Sequence, residues 1–160
     1  MTHVDFKQIS SRYKRELLEN CLPFWLENSQ DKEFGGYYSC LNRDGSVYDT
    51  DKFIWLQGRE VWMFAMLYNN VEKNQEWLDC AIQGAEFLKK YGHDENWDFY
   101  FSLNREGRPL VQPYNIFSNT FACMAFAQLA KATGNEEYAQ IARKIFTRIL
   151  ERRSNPKGQW

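Results

Sequence analysis

Apolar positions along the chain follow two alternating rhythms. From Phe53 to Val71, and again from Asn115 to Ala132, apolar side chains occupy nearly every side of a helical projection. Helices of that kind are covered all round. Each is followed by a segment with one apolar stripe. Trp77, Leu78, Ala81, Ile82, Ala85 and Leu88 fall at spacings of one and three, and so do Tyr138, Ile141, Ala142, Ile145, Phe146, Ile149 and Leu150. Such a stripe buries one face and leaves the other wet. The pattern predicts inner helices over 52–71 and 115–132 and outer helices over 75–91 and 136–153. Gly92 and the pair Gly134-Asn135 stand where helices have to stop. An opening helix over about 6–27 carries Pro23, which bends or breaks it.

Between these helices the chain repeats itself. Tyr37-Tyr38-Ser39-Cys40-Leu41-Asn42-Arg43-Asp44-Gly45 returns 62 residues later as Phe99-Tyr100-Phe101-Ser102-Leu103-Asn104-Arg105-Glu106-Gly107. Aromatics leading into Asn-Arg-acid-Gly describe a short hairpin whose glycine supplies a positive φ. Hairpins are therefore expected near 36–48 and 98–110. The repeating unit is hairpin, inner helix, outer helix. Alternation of fully covered and half-covered helices builds two concentric layers with the hairpins at one rim. A period of this size points to a stacked or circular array. The chain holds about two and a half such units, too few to close a ring, and reads as a single domain over 1–160.

Composition narrows the range of functions. Phe, Tyr and Trp number 12, 9 and 6, enough to pack a core and also to line a pocket with flat faces. The net charge of −1 gives no uniform field for nucleic acid. The longest apolar run, Val61 to Tyr68, falls far short of the ~20 residues of a membrane span. The first residues lack the basic and apolar regions of a signal peptide. Cys21, Cys40, Cys80 and Cys123 form no C-x-x-C pair, and only His3 and His93 could join them around zinc. Buried reduced thiols, no metal and a cytoplasmic location are the expectation.

Three segments carry a family resemblance. Asp49-Thr50-Asp51-Lys52-Phe53-Ile54-Trp55-Leu56-Gln57-Gly58-Arg59-Glu60-Val61-Trp62 resembles the first signature of the N-acylglucosamine 2-epimerases. Val111-Gln112-Pro113-Tyr114-Asn115-Ile116-Phe117-Ser118 resembles the second, and Ser154-Asn155-Pro156-Lys157-Gly158 a shorter third. The resemblance runs from about Leu17 to Trp160. It implies an all-α (α/α)6 toroid with a central sugar pocket. It also implies interconversion of N-acyl-D-glucosamine and N-acyl-D-mannosamine, with ATP an allosteric activator and no cofactor in the chemistry. Cellobiose 2-epimerases and aldose–ketose isomerases are relatives within it. Six units of this period need roughly 370 residues, so the chain reads as an N-terminal portion. The family's two proton-transfer histidines belong to later repeats, and neither His3 nor His93 matches their motifs. An open end of this kind exposes apolar surface that self-association, as in a homodimer, would cover.

Epimerisation at C2 passes through an enediolate and needs a base, an acid and a donor at the developing oxyanion. Arg59 suits the donor role. It and Glu60 are the two charges between Phe53 and Tyr68, and a buried arginine needs a partner or a wet cavity. A structural salt bridge between inner helices is the other reading. Trp55 lies one turn earlier on the same face, where it can stack on a sugar or pack in the core. Tyr114 belongs at the rim with Asp51 and Lys52 and can donate to a sugar hydroxyl. Asn115 next to it is a second candidate for the sugar but reads first as an N-cap, its side chain turned to backbone amides. Lys157 with Gly158 is a weak phosphate hint, and Arg152-Arg153 reads as a solvated helix end. Asp49, Asp51, Glu60 and Asp98 keep a toroidal glycoside hydrolase open as an alternative. A non-catalytic sugar-binding or interaction piece is the other.

Overall fold

A computed structural model describes residues 5–113 and 115–155. Tyr114, Lys157 and His3 lie outside the described residues. The opening segment comprises α1 (Phe6–Arg15), a π-helical turn (Glu16–Cys21) and α2 (Leu22–Asn28). Asp5 caps α1, its Oδ1 accepting from the Lys7 and Gln8 amides. The irregularity predicted at Pro23 falls in the turn before it. Proline has no N–H for the Glu19 carbonyl, and the Leu22 amide reaches back to the Leu17 carbonyl, widening the turn.

The first hairpin is β1 (Cys40–Leu41) with β2 (Val47–Asp49). Next come β3 (Lys52–Phe53), α3 (Ile54–Asn70) and α4 (Gln75–Tyr91). The second hairpin, β4 (Ser102–Leu103) with β5 (Pro109–Val111), precedes α5 (Phe117–Thr133) and α6 (Glu136–Arg152). Its turn copies the first. Gly45 and Gly107 have φ of 85° and 91°, and each donates its amide to the asparagine carbonyl three residues earlier. One strand was not expected. The inner helix was predicted to begin at 52, yet Lys52 and Phe53 pair antiparallel with Leu103 and Ser102. The Ile54 amide donates to the Phe101 carbonyl, so the second hairpin holds this backbone extended and the helix starts at Ile54.

Helices α3 and α5 pack on each other, α4 covers α3, and α6 covers α5. Val61, Phe64 and Ala65 of α3 meet Ala122, Ala125 and Phe126 of α5 in a fully buried core. The outer stripes bury Trp77, Leu78, Ala81, Ala85 and Leu88 on one side and Tyr138, Ile141, Ala142 and Ile145 on the other. Two expectations need correction. The α6 stripe does not stay buried to its end, because Phe146 and Leu150 are exposed. Nor are the inner helices covered all round: Phe117 and Met124 of α5 are 52% and 45% exposed, since no described element lies over that face.

Polar side chains tie each hairpin to its inner helix. Gln57 is fully buried; its Oε1 accepts from the Tyr37 amide and its Nε2 donates to the Tyr37 carbonyl, both at 2.8 Å. Asn119, 62 positions later, accepts from the Phe99 amide at 3.1 Å and donates to the Trp97 carbonyl at 2.8 Å. Backbone groups that lack a sheet partner are thereby satisfied. Charged clusters finish the frame. Lys52 and Asp31 are both fully buried and lie 2.9 Å apart; the lysine also donates to the Gly35 and Arg105 carbonyls. Burial pushes the Asp31 carboxyl up, but Arg105 and Lys52 outweigh it and leave it at about 2. Lys52 thus sits beneath the hairpins rather than on the rim. Asp98 accepts from Arg148 and Arg152 on α6, so Arg152 is not the solvated helix end its sequence context suggested. Among the described residues all four cysteines are free, Cys80 buried and Cys21 exposed. Exposure at Cys21 departs from the expected buried thiol because the π-helical turn faces water there.

Candidate functional site

One face of α3 remains after α4 and α5 have taken theirs. Leu56, Arg59, Glu60, Trp62 and Met63 on that face, with Trp25 of α2 and Ser39 before β1, line a cleft of about 370 Å³. The helical spacing explains the gathering. Residues 55, 59, 62 and 63 fall within successive turns on adjoining faces.

Arg59 is exposed and has no ion-pair partner among the described residues. The structural-bridge reading has no counterpart carboxylate among the described residues. Instead the guanidinium lies over two rings, 5.7 Å from the centroid of Trp55 and 5.7 Å from that of Phe121. A cation held on aromatic faces keeps its N–H edges free for a ligand. The neighbouring Gly58 allows this approach, because a Cβ there would come within 2.9 Å of the Phe121 backbone. Of the two roles foreseen for Trp55, packing is the one seen among the described residues. It stacks obliquely on Phe117 and Phe121 of α5, and it supports Arg59.

Glu60 turns the other way, toward α2. Its Oε1 is 2.5 Å from Ser29 Oγ, and burial pushes its carboxyl up to about 8. Asn115 caps the following turn, its Oδ1 accepting from the Phe117 amide at 2.7 Å. That engagement is the capping role, and it leaves the amide nitrogen for any ligand. Asp98 is held by two arginines and Glu60 by Ser29, so neither pairs with Asp49 or Asp51 among the described residues. His93 has both ring nitrogens against backbone carbonyls, those of Asp94 and Lys89, and stacks on Trp97 at 4.0 Å. It is a packed side chain rather than a base in the cleft.

Sequence reasoning missed Trp25, Ser29, Ser39 and Trp62. Trp62 carried a signal, since it lies one turn beyond Arg59. The α2 residues carried none, because they come from about thirty positions away.

Alternating inner and outer helices with hairpins at one end are the arrangement of part of a helical toroid. The family model for N-acylglucosamine 2-epimerase matches residues 36–160, and the chain belongs to that family. It is 39% identical over 156 residues to the N-acylglucosamine 2-epimerase of Mus musculus, covering 94% of this chain and 37% of the relative. Identity to the cellobiose 2-epimerase of Eubacterium cellulosolvens is 30% over 146 residues, 90% of this chain and 36% of that one. The solved cellobiose 2-epimerase of Spirochaeta thermophila superposes with a TM-score of 0.82 at 28% identity, over 91% of this chain and 36% of its own. The architecture is that of part of an (α/α)6 toroid, and the chain spans about two fifths or less of the length of these relatives. No helix among the described residues is long and apolar enough to cross a membrane.

Proposed function

We propose that this chain forms the Arg59 side of the pocket in a sugar epimerase that interconverts N-acyl-D-glucosamine and N-acyl-D-mannosamine. The observation that carries the reading is an arginine with no carboxylate partner among the described residues, propped on Trp55 and Phe121, in the cleft of an inner helix. The names of the mouse and bacterial relatives support a 2-epimerase.

In the open-chain sugar the C2 hydrogen is acidified by the C1 carbonyl. A base removes it, the electron pair moves into the C1–C2 bond, and charge gathers on O1. Arg59 donates to that oxygen as it becomes an oxyanion. Returning the proton to the opposite face of C2 inverts it. Trp55 fixes the guanidinium, and Trp25 and Trp62 offer flat faces to the sugar's C–H bonds. Asn115, in the turn before α5, and its sequence neighbour Tyr114 serve the sugar's hydroxyls. The base and the acid are expected from histidines beyond these residues. ATP acts as an activator rather than a reactant, and the protein works in the cytoplasm, in keeping with its reduced thiols.

The test is a chimera in which this chain replaces the segment of the mouse enzyme that it matches. Incubated with N-acetylmannosamine in D2O, it is expected to place deuterium at C2 and to form N-acetylglucosamine. The 160-residue chain by itself is expected to do neither. A folded chimera without exchange would overturn the reading.

A further inference from the structure

Ser39 stands immediately before β1 and lines the cleft together with Trp25, Leu56, Trp62 and Met63. Its Oγ is closed off from water and, among the described residues, has no hydrogen-bond partner. One other side-chain atom shares that condition, Gln83 Oε1, and Gln83 does not line this cleft; its Nε2 donates to the Asp31 and Gly36 carbonyls. A buried hydroxyl left unpaired costs free energy that an alanine would avoid. The hairpin does not call for it. In the second copy the same place is Phe101, whose ring packs edge-on against Phe53 at 5.8 Å. With no hydrogen bond to hold it, the Ser39 hydroxyl is free to turn about Cα–Cβ toward a group that enters the cleft. The wall it belongs to is apolar at Leu56 and Met63. An apolar wall with one neutral hydroxyl matches a group with a methyl at one end and a carbonyl acceptor at the other, as an N-acetyl group has.

We propose that Ser39, with Leu56 and Met63, forms the N-acyl subsite of the cleft and selects N-acyl-hexosamines over sugars with a bare hydroxyl at C2. The Ser39 O–H donates to the acyl carbonyl oxygen, and the acyl methyl lies against Leu56 and Met63. This role rests on the sugar reading of the cleft and adds to it the group by which the sugar is chosen. The two polar contacts then suit their targets. Arg59 brings charge to O1, where negative charge gathers, and Ser39 brings a neutral donor to an amide carbonyl. Removing the Ser39 hydroxyl strands the acyl carbonyl of an N-acyl sugar, whereas D-mannose has no such carbonyl to strand.

Ser39→Ala tests the subsite, in the chimera with the mouse enzyme and in the 160-residue chain. In the chimera, kcat/KM for N-acetylmannosamine is expected to fall about three- to tenfold, the worth of one neutral hydrogen bond. D-mannose, added as a competitor of that reaction, should compete equally weakly against the chimera with and without the change. In the 160-residue chain the melting temperature should stay the same or rise, because the hydroxyl gives up no hydrogen bond among the described residues. An unchanged kcat/KM in Ser39→Ala overturns the subsite. So does a loss of mannose competition as large as the loss for N-acetylmannosamine, since the contact would then not be to the acyl group. A lowered melting temperature with unchanged kcat/KM makes Ser39 a structural residue. A chimera with Ser39 intact that does not turn over N-acetylmannosamine removes the sugar reading of the cleft, and this role with it.

Discussion

On α3, Trp55, Arg59 and Glu60 stand in line; 62 residues later, on α5, the same positions are Phe117, Phe121 and Ala122. Around them the two repeats are built alike, with Gln57 and Asn119 each clamping a hairpin backbone and Gly45 and Gly107 each turning one. At these three positions the charged side chains are in the first copy. The second copy supplies support for them: Phe117 and Phe121 pack against Trp55, and Phe121 lies beneath Arg59. Electrostatics differ likewise. The first hairpin sits on the fully buried Lys52–Asp31 pair, whereas Asp98 at the second is held by two arginines from the outer helix.

The largest expected effect breaks the charge cluster beneath the first hairpin. Lys52→Met leaves buried Asp31 with Arg105 as its remaining cation, and chemical denaturation is expected to show a loss of about 3–5 kcal/mol. Asp31 has its carboxyl held near 2 against an ordinary 3.8. Its contribution is present above pH 3.8 and is lost as pH falls through about 2. The variant should show a smaller acid-side fall, because Arg105 still holds Asp31, and an unchanged acid profile would show that Lys52 does not contribute to it.

Glu60 gives the opposite sign. Its folded pKa of about 8 lies above the ordinary 4.5, so the folded state holds a proton that the unfolded state releases. Wild-type stability should decline between pH 4.5 and 8 by at most about 1.4 kcal/mol per pH unit and level off above. Thermal melts of Glu60→Gln across this range should lack the decline. Parallel curves for the two proteins would mean that Glu60 is ionised in the fold.

The two clamps offer a matched pair. Gln57→Leu and Asn119→Leu each strand a buried amide and a carbonyl, and each is expected to cost about 1–3 kcal/mol. Urea unfolding that gave a large loss at one and none at the other would end the equivalence of the repeats. Trp55→Phe is the mildest change. It keeps most of the apolar bulk against Phe117 and Phe121 but narrows the face beneath Arg59. In the chimera KM for N-acetylmannosamine should rise with stability within about 0.5 kcal/mol. Unchanged KM with a large loss of stability would return Trp55 to the core.

Much of this frame is legible in the chain because it is periodic. The helix spans, the two hairpins and the pairing of Trp55 with Arg59 follow from spacings of three, four and 62 positions. Features that depend on distant partners are not. Nothing near Lys52 announces Asp31 or Arg105, and nothing near Glu60 announces Ser29. The short strand at Lys52–Phe53 escaped because its cause, the Phe101 carbonyl, belongs to the next repeat. The exposed faces of α5 and α6 read as buried because composition shows that a side chain is apolar and not whether a neighbour covers it.

Arg59→Lys in the chimera tests the central claim most directly, with kcat and melting temperature measured on the same protein. Lysine keeps the charge and loses the planar fork. With Arg59 as the oxyanion donor, kcat for N-acetylmannosamine should fall about a hundredfold, ~3 kcal/mol of barrier, with the melting temperature unchanged. A normal kcat with a depressed melting temperature would contradict the account and make Arg59 a structural residue.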